Sequence, residues 1–250
     1  MYDRQQQWEK GSSAIVAIIE KGVRSYFESI EAERAFHLDD LVLRCMDGRT
    51  PGGVHLAGSG VLLGLEGARS FAKEVERYGR LEAITYHKDC GAAIAVAKEK
   101  GGDPFELAKT FSTELAKSLG IEAVYEVEND GWEGFHHERV IYYDGTGRFD
   151  WKRVRGLPIG FVISRAYLGF DIEYAKKELE IAAGIALTPH NEGGHGFGEL
   201  FNEKLPLLVI ALSQERSELG RLEQEAREVI ASLGKDSSRV RVMGYHKTKA

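Results

Sequence analysis

Residues 83–98 read Ala-Ile-Thr-Tyr-His-Lys-Asp-Cys-Gly-Ala-Ala-Ile-Ala-Val-Ala-Lys. The first five combine apolar, β-branched and aromatic side chains, the mark of a strand. From Cys90-Gly91 the run turns alanine-rich, which predicts a helix to about residue 98. A strand feeding straight into a helix is the unit of an α/β fold. Upstream, Ala68, Phe71, Ala72, Val75 and Tyr78 recur at helical spacing and stop at Gly79. Before them, residues 41–45 form a second short buried strand, followed by a glycine-rich stretch over 46–64 that reads as an irregular loop. The N-terminal stripe Ile15, Ile19, Val23, Phe27 and Ile30 predicts a helix capped by Ser12 or Ser13.

Downstream, Asp103 is placed as an N-cap, Pro104 at the first helical position and Glu106 for a capping box. A strand is expected over 121–127. Residues 139–143 and 149–151 flank Asp144-Gly145-Thr146-Gly147, a hairpin signal. Further on, Asp171 caps a helix carrying Ile172, Ala175, Leu179, Ala182 and Ile185. Residues 207–212 read as a strand, 213–233 as a helix with a solvated charged face over 215–228, and 239–243 as a last strand. The alternation predicts a mostly parallel sheet flanked by helices. It divides into a core over 1–155 and an extra C-terminal α/β segment over 156–250. Tyr86-His87-Lys88 recurs as Tyr245-His246-Lys247, and 207–216 echoes 41–49. Such echoes arise by chance between buried strands. The alternative is a degenerate repeat packed on the same sheet, its second copy without cysteines.

At 250 residues the chain sits near the upper limit for one hydrophobic core. Its apolar runs are too short for a bilayer span or a signal-peptide core. The net charge of −6 argues against nucleic-acid binding. Two cysteines make no disulfide scaffold, so a cytoplasmic chain is expected, in which they serve metal binding or redox chemistry.

Cys45-Met46-Asp47-Gly48-Arg49 leaves one predicted strand and His87-Lys88-Asp89-Cys90 leaves another. Ligands gather outside the carboxyl ends of parallel strands, so the two segments can converge. Two thiolates and an imidazole make a common zinc set with one tetrahedral position open. Arg49 can hold Asp47 ionised through a bidentate pair, leaving Asp47 as a base; alternatively Asp47 takes the fourth zinc position and closes the site.

The pattern C-x-D-x-R followed by H-x-x-C, each after a buried strand, resembles the β-carbonic anhydrases. The string from Tyr78 to Ala92 is similar to that family's helix-to-strand passage into its zinc site. Ala57-Gly58 resembles the loop after its first motif, and residues 140–149 resemble its closing strand pair. The similarity covers roughly residues 12–151. It implies zinc on Cys45, His87 and Cys90, with an Asp47–Arg49 catalytic dyad. It implies reversible hydration of carbon dioxide to bicarbonate by zinc-bound hydroxide, and a homodimer or higher homo-oligomer, with the first helix often packed on a partner.

The sequence also departs from the family. The gap of 42 residues from Cys45 to His87 is short, Gly48 stands where serine is usual, and Tyr86 where glycine is usual. Hydrolysis of carbonyl sulfide or carbon disulfide on the same zinc site, and a non-catalytic zinc-binding protein of this fold, are the competing readings. Residues 156–250 are expected to cover or reshape the entrance. His136-His137 is read as a surface pair, and His55 as a solvated loop residue or a proton shuttle. His190, Glu192, His195 and Glu199 are read as part of a flexible loop or lid rather than a second metal site.

Overall fold

A computed structural model describes residues 4–126, 136–192 and 194–247. Strands β1 (Val42–Cys45), β2 (Val54–Leu56), β3 (Ala83–Tyr86) and β4 (Glu122–Tyr125) form one sheet in the order β2-β1-β3-β4. Strands β5 (Val140–Asp144), β6 (Gly160–Ile163), β7 (Leu207–Ser213) and β8 (Val240–His246) form a second in the order β6-β5-β7-β8. Every pairing in both sheets is parallel. The helices are α1 (Arg4–Lys21), α2 (Val23–Ser29), α3 (Gly64–Glu76), α4 (Gly91–Lys100), α5 (Pro104–Leu119), α6 (Ile172–Leu187) and α7 (Arg216–Ser232). No helix among the described residues is long and apolar enough to cross a membrane.

The two sheets have the same strand order, so the topology repeats. They meet along β2 and β6, where the Ser164 N–H donates to the His55 carbonyl and the His55 N–H donates to the Ser164 hydroxyl. Asp47-Gly48 follows β1 and Asp144-Gly145 ends β5, and each aspartate accepts the backbone N–H two residues on, from Arg49 and Thr146. The short sequence echoes do not mark this repeat: they match β3 with β8 and β7 with β1, whereas the strand order matches β3 with β7 and β1 with β5.

The hairpin expected over 139–151 is absent. β5 pairs with β6 and β7, both parallel, and residues 151–153 form a 3-10 turn. The Asp144 carboxylate explains the misreading. It accepts from the backbone N–H groups of Thr146 and Phe149 and from the Thr146 hydroxyl, closing a tight turn that no antiparallel strand follows. β5 thus opens the second sheet, although it lies inside the 1–155 unit drawn from sequence. The glycine-rich stretch 46–64 contains β2, and β6 lies where the sequence showed no strand; both are short and buried.

Side-chain alternation splits the second sheet. Val140 and Tyr142 face a cluster with Ile15, Ile18, Val23 and Phe27 of α1 and α2, while Ile141 and Tyr143 face the cluster containing α6 and α7. The first helix therefore packs on this chain's own second sheet. It starts at Arg4 rather than at a serine cap; Ser12 lies inside it and donates to the Trp8 carbonyl. Asp103 and Asp171 cap α5 and α6 as expected, accepting from the Glu106 and Tyr174 N–H groups. The charged helix α7 is not solvated throughout. Its Glu225 is buried, with Arg165 and the Tyr143 hydroxyl donating to it.

Candidate metal centre

β1 and β3 lie side by side and parallel, so their carboxyl ends emerge together. Cys45 ends β1, His87 follows β3 directly, and Cys90 is the N-cap of α4. Asp89 takes a left-handed φ of 55°, which turns the chain so that Cys90 comes back toward His87. The two sulfurs and an imidazole nitrogen lie within 4.8 Å of one another, and all three residues are buried. Gly58 makes this possible. It has φ 58°, and a β-carbon there would stand 2.8 Å from the Ala92 Cβ and 3.2 Å from the Cys90 Sγ.

The group fits a metal chemically. His87 Nδ1 is 2.7 Å from the Lys88 carbonyl oxygen, which fixes the proton on that nitrogen. Nε2 is buried without a hydrogen-bond partner, its lone pair available to an ion. Of the two thiols, Cys45 ionises first. A hydrogen bond from Cys90 pulls it well below the usual thiol range against the cost of burial, and His87 adds to the effect. Soft thiolate with imidazole is a donor set that suits zinc.

Asp47 belongs to a different group. Arg49 Nη2 donates to Oδ2 at 2.6 Å, Nε lies 2.9–3.0 Å from both oxygens, and the Arg49 backbone N–H donates to Oδ1 at 2.9 Å. The Thr50 hydroxyl donates to the Cys45 and Asp47 carbonyls and holds the turn. Burial alone would raise the Asp47 carboxyl. The charges of His136 and Arg49, with the Arg49 hydrogen bonds, outweigh it and hold the carboxyl well below the usual range.

His136 and Glu138 come from the segment leading into β5. His136 Nδ1 lies 3.9 Å from Asp47 Oδ2 and 3.4 Å from Glu138. Glu138 accepts the Gly48 N–H at 2.8 Å. Burial works against charge on His136, but Glu138 and Asp47 push it up to about 9, so it is an imidazolium at neutral pH. Asp47, His136 and Glu138 are close enough together to hold an ion. Their two carboxylates are nevertheless already balanced by Arg49 and His136, which makes the group an ionic network.

A cavity of about 530 Å³ opens beside these residues. Asp89, Gly91 and Ile94 line it on the metal side, His136 on another, and Ile181 and Ile185 of α6 form an apolar wall. Thr188, Gly194 and His195 complete the rim. The C-terminal half thus walls a cavity that flanks Cys90 through Asp89 and Gly91, while Cys45, His87, Cys90, Asp47 and Arg49 are not part of its lining.

The histidine expectations need correction. His136 and His137 are both buried, because the segment runs between the two halves rather than along an exposed strand. His55 is neither solvated nor in the cavity lining. It lies on β2, buried, with Nδ1 2.8 Å from the Cys45 carbonyl, and burial pulls its pKa down to about 4. His190, Glu192, His195 and Glu199 form no metal group among the described residues. Instead Glu199 accepts from Arg4 and from the His190 N–H, and the His195 carbonyl accepts from the His136 N–H. The run His-His-Glu-Arg just before an apolar strand was the one available signal for the 136–139 segment.

Among the described residues the second half holds no counterpart of this group, and both cysteines of the chain lie in the first half. No family model matches this chain, and no curated protein and no solved structure shows significant similarity to it. Fold and side-chain geometry define its class: a parallel α/β protein of two matching sheets with a buried Cys-His-Cys group positioned to bind a metal ion.

Proposed function

We propose that the chain is a zinc enzyme of β-carbonic anhydrase type that interconverts carbon dioxide and bicarbonate. The observation that carries this reading is the convergence of Cys45, His87 and Cys90 beside a cavity, with Asp47 outside that group and clamped by Arg49. Three protein ligands would leave the fourth zinc position to water. Zinc bound there would supply Lewis-acid activation of that water near neutral pH.

The chain's own residues would do the rest. Arg49 keeps Asp47 ionised, so that its carboxylate would act as a hydrogen-bond acceptor beside the group rather than hold a proton. His136 and Glu138 hold this dyad from the other half of the chain. The apolar wall of Ile181 and Ile185 suits a small, neutral, linear substrate, and the His136 charge suits an anionic product.

The test is zinc content and stopped-flow carbon dioxide hydration, on wild type, Cys45→Ser and Cys90→Ser. About one zinc per chain and hydration activity, both lost in the variants, are expected. Full zinc and full activity in Cys90→Ser would overturn the reading. Sulfide release from carbonyl sulfide with negligible hydration would assign the sister reaction. Bound zinc with no turnover of either substrate across a broad pH range would assign a binding protein.

A further inference from the structure

The side chains of the segment 136–139 alternate in direction. His136 and Glu138 face Asp47 and Gly48, while His137 and Arg139 face the opposite way, into a second cavity. This cavity measures about 730 Å³, within the range of small-molecule sites. It lies between α1 and the 155–159 segment, with Gln7, Lys10, Ser13, His137, Arg139 and Arg155 as its polar lining. No acidic side chain among the described residues lines it.

Arg139 is the decisive residue. It is 2% exposed. Its guanidinium carbon sits 3.4 Å from the centroid of the Trp8 ring, and Nη1 donates to the Trp8 carbonyl and the Ser12 hydroxyl. Nε and Nη2 are buried with no hydrogen-bond partner. Desolvation alone accounts for the fall of its pKa to about 9, since no carboxylate opposes it. The Trp8, Phe197 and Phe201 rings, 3.4–5.6 Å from the guanidinium carbon, offset part of the cost of burying this charge, but they leave its two donors and its missing counter-ion unanswered. Planar donors of this kind match the oxygens of phosphate and carboxylate. Lys10 and Arg155 are exposed and add positive charge at the same cavity.

We propose that this cavity is a second ligand site, distinct from the metal centre, that takes an oxyanion borne by a small molecule, with Arg139 as the buried anchor and Lys10 and Arg155 as the outer contacts. The site does not depend on the function assigned to the metal centre.

The experiment is isothermal titration of the full chain with inorganic phosphate and, separately, acetate, at matched ionic strength. Wild type, Lys10→Ala/Arg155→Ala and Cys45→Ser are compared, with Arg139→Gln included if it folds. Saturable binding of one anion per chain is expected, weakened about tenfold or more in the double variant and unchanged in Cys45→Ser. Preference for phosphate would assign a tetrahedral anion, and preference for acetate a carboxylate; either supports the site. The absence of saturable binding to wild type would overturn it. So would binding that survives in the double variant and disappears in Cys45→Ser, since that anion would sit at the metal centre.

Discussion

Glu138 fills the space that a side chain at residue 48 would need. Its Cγ lies 2.9 Å from the position of a β-carbon on Gly48, and its carboxylate accepts the Gly48 N–H. The Gly160 carbonyl oxygen stands equally close. The absence of a side chain between Asp47 and Arg49 is therefore matched to a residue 90 positions away, in the other half of the chain. Gly48→Ala should force Glu138 or the β6 backbone to move, at about 1–3 kcal/mol. Thermal unfolding should show a Tm lower by several degrees. An unchanged Tm would mean that the contact yields freely.

Arg49→Gln should leave the zinc ligands intact and lower hydration activity about a hundredfold or more, because the buried Asp47 carboxylate loses its main clamp. Stopped-flow rates with metal analysis on the same samples check this. Full activity would remove the dyad from the reaction.

Removing zinc with a chelator should lower the Tm of wild type, since an ion that binds only the folded chain stabilises it. His87→Ala should show the same Tm with and without chelator, because its metal position is lost. A chelator response preserved in His87→Ala would place the ion elsewhere.

Glu178 of α6 is fully buried, and its Oε1 accepts the Ala57 N–H at 2.6 Å, just before the Gly58 turn that meets Cys90. Burial raises its carboxyl from 4.5 to about 8. The folded state therefore keeps this proton where the unfolded chain has released it. Its contribution is fully present below about pH 4.5 and is lost as pH rises through 8. Glu178→Gln should flatten the fall in stability across that window, measured by urea unfolding at a series of pH values. Parallel curves for wild type and variant would contradict the raised value.

Arg165→Met should destabilise the second half by about 3–5 kcal/mol, since it leaves the Glu225 carboxylate buried with only the Tyr143 hydroxyl as donor. Arg165→Met with Glu225→Met should cost less than the single change, as no charge is then stranded. Chemical denaturation of both variants decides it.

Most helices and the Cys-His-Cys group were legible in the sequence because each rests on local signals. Asp103-Pro104 and Asp171 satisfy helix N–H groups within one turn. Cys45, His87 and Cys90 stand at the ends of short apolar runs, and a parallel sheet brings such ends together whatever lies between. Short strands were less legible. β2 and β6 have three and four residues, and glycines surround or begin them. The Asp144 turn carries hairpin chemistry without a hairpin.

Residue types and their order thus determined an α/β chain whose Cys45, His87 and Cys90 stand at neighbouring strand ends. Only the tertiary structure decided that the chain folds as two matching sheets, because the match resides in strand order, which no local run of side chains carries. It also decided what surrounds the metal group. Asp47 is held by His136, Gly48 is packed by Glu138, and the cavity is walled by Ile181 and Ile185. These contacts span roughly 90 residues or more, and no local pattern encodes them. They arise only when the second half of the chain docks against the first.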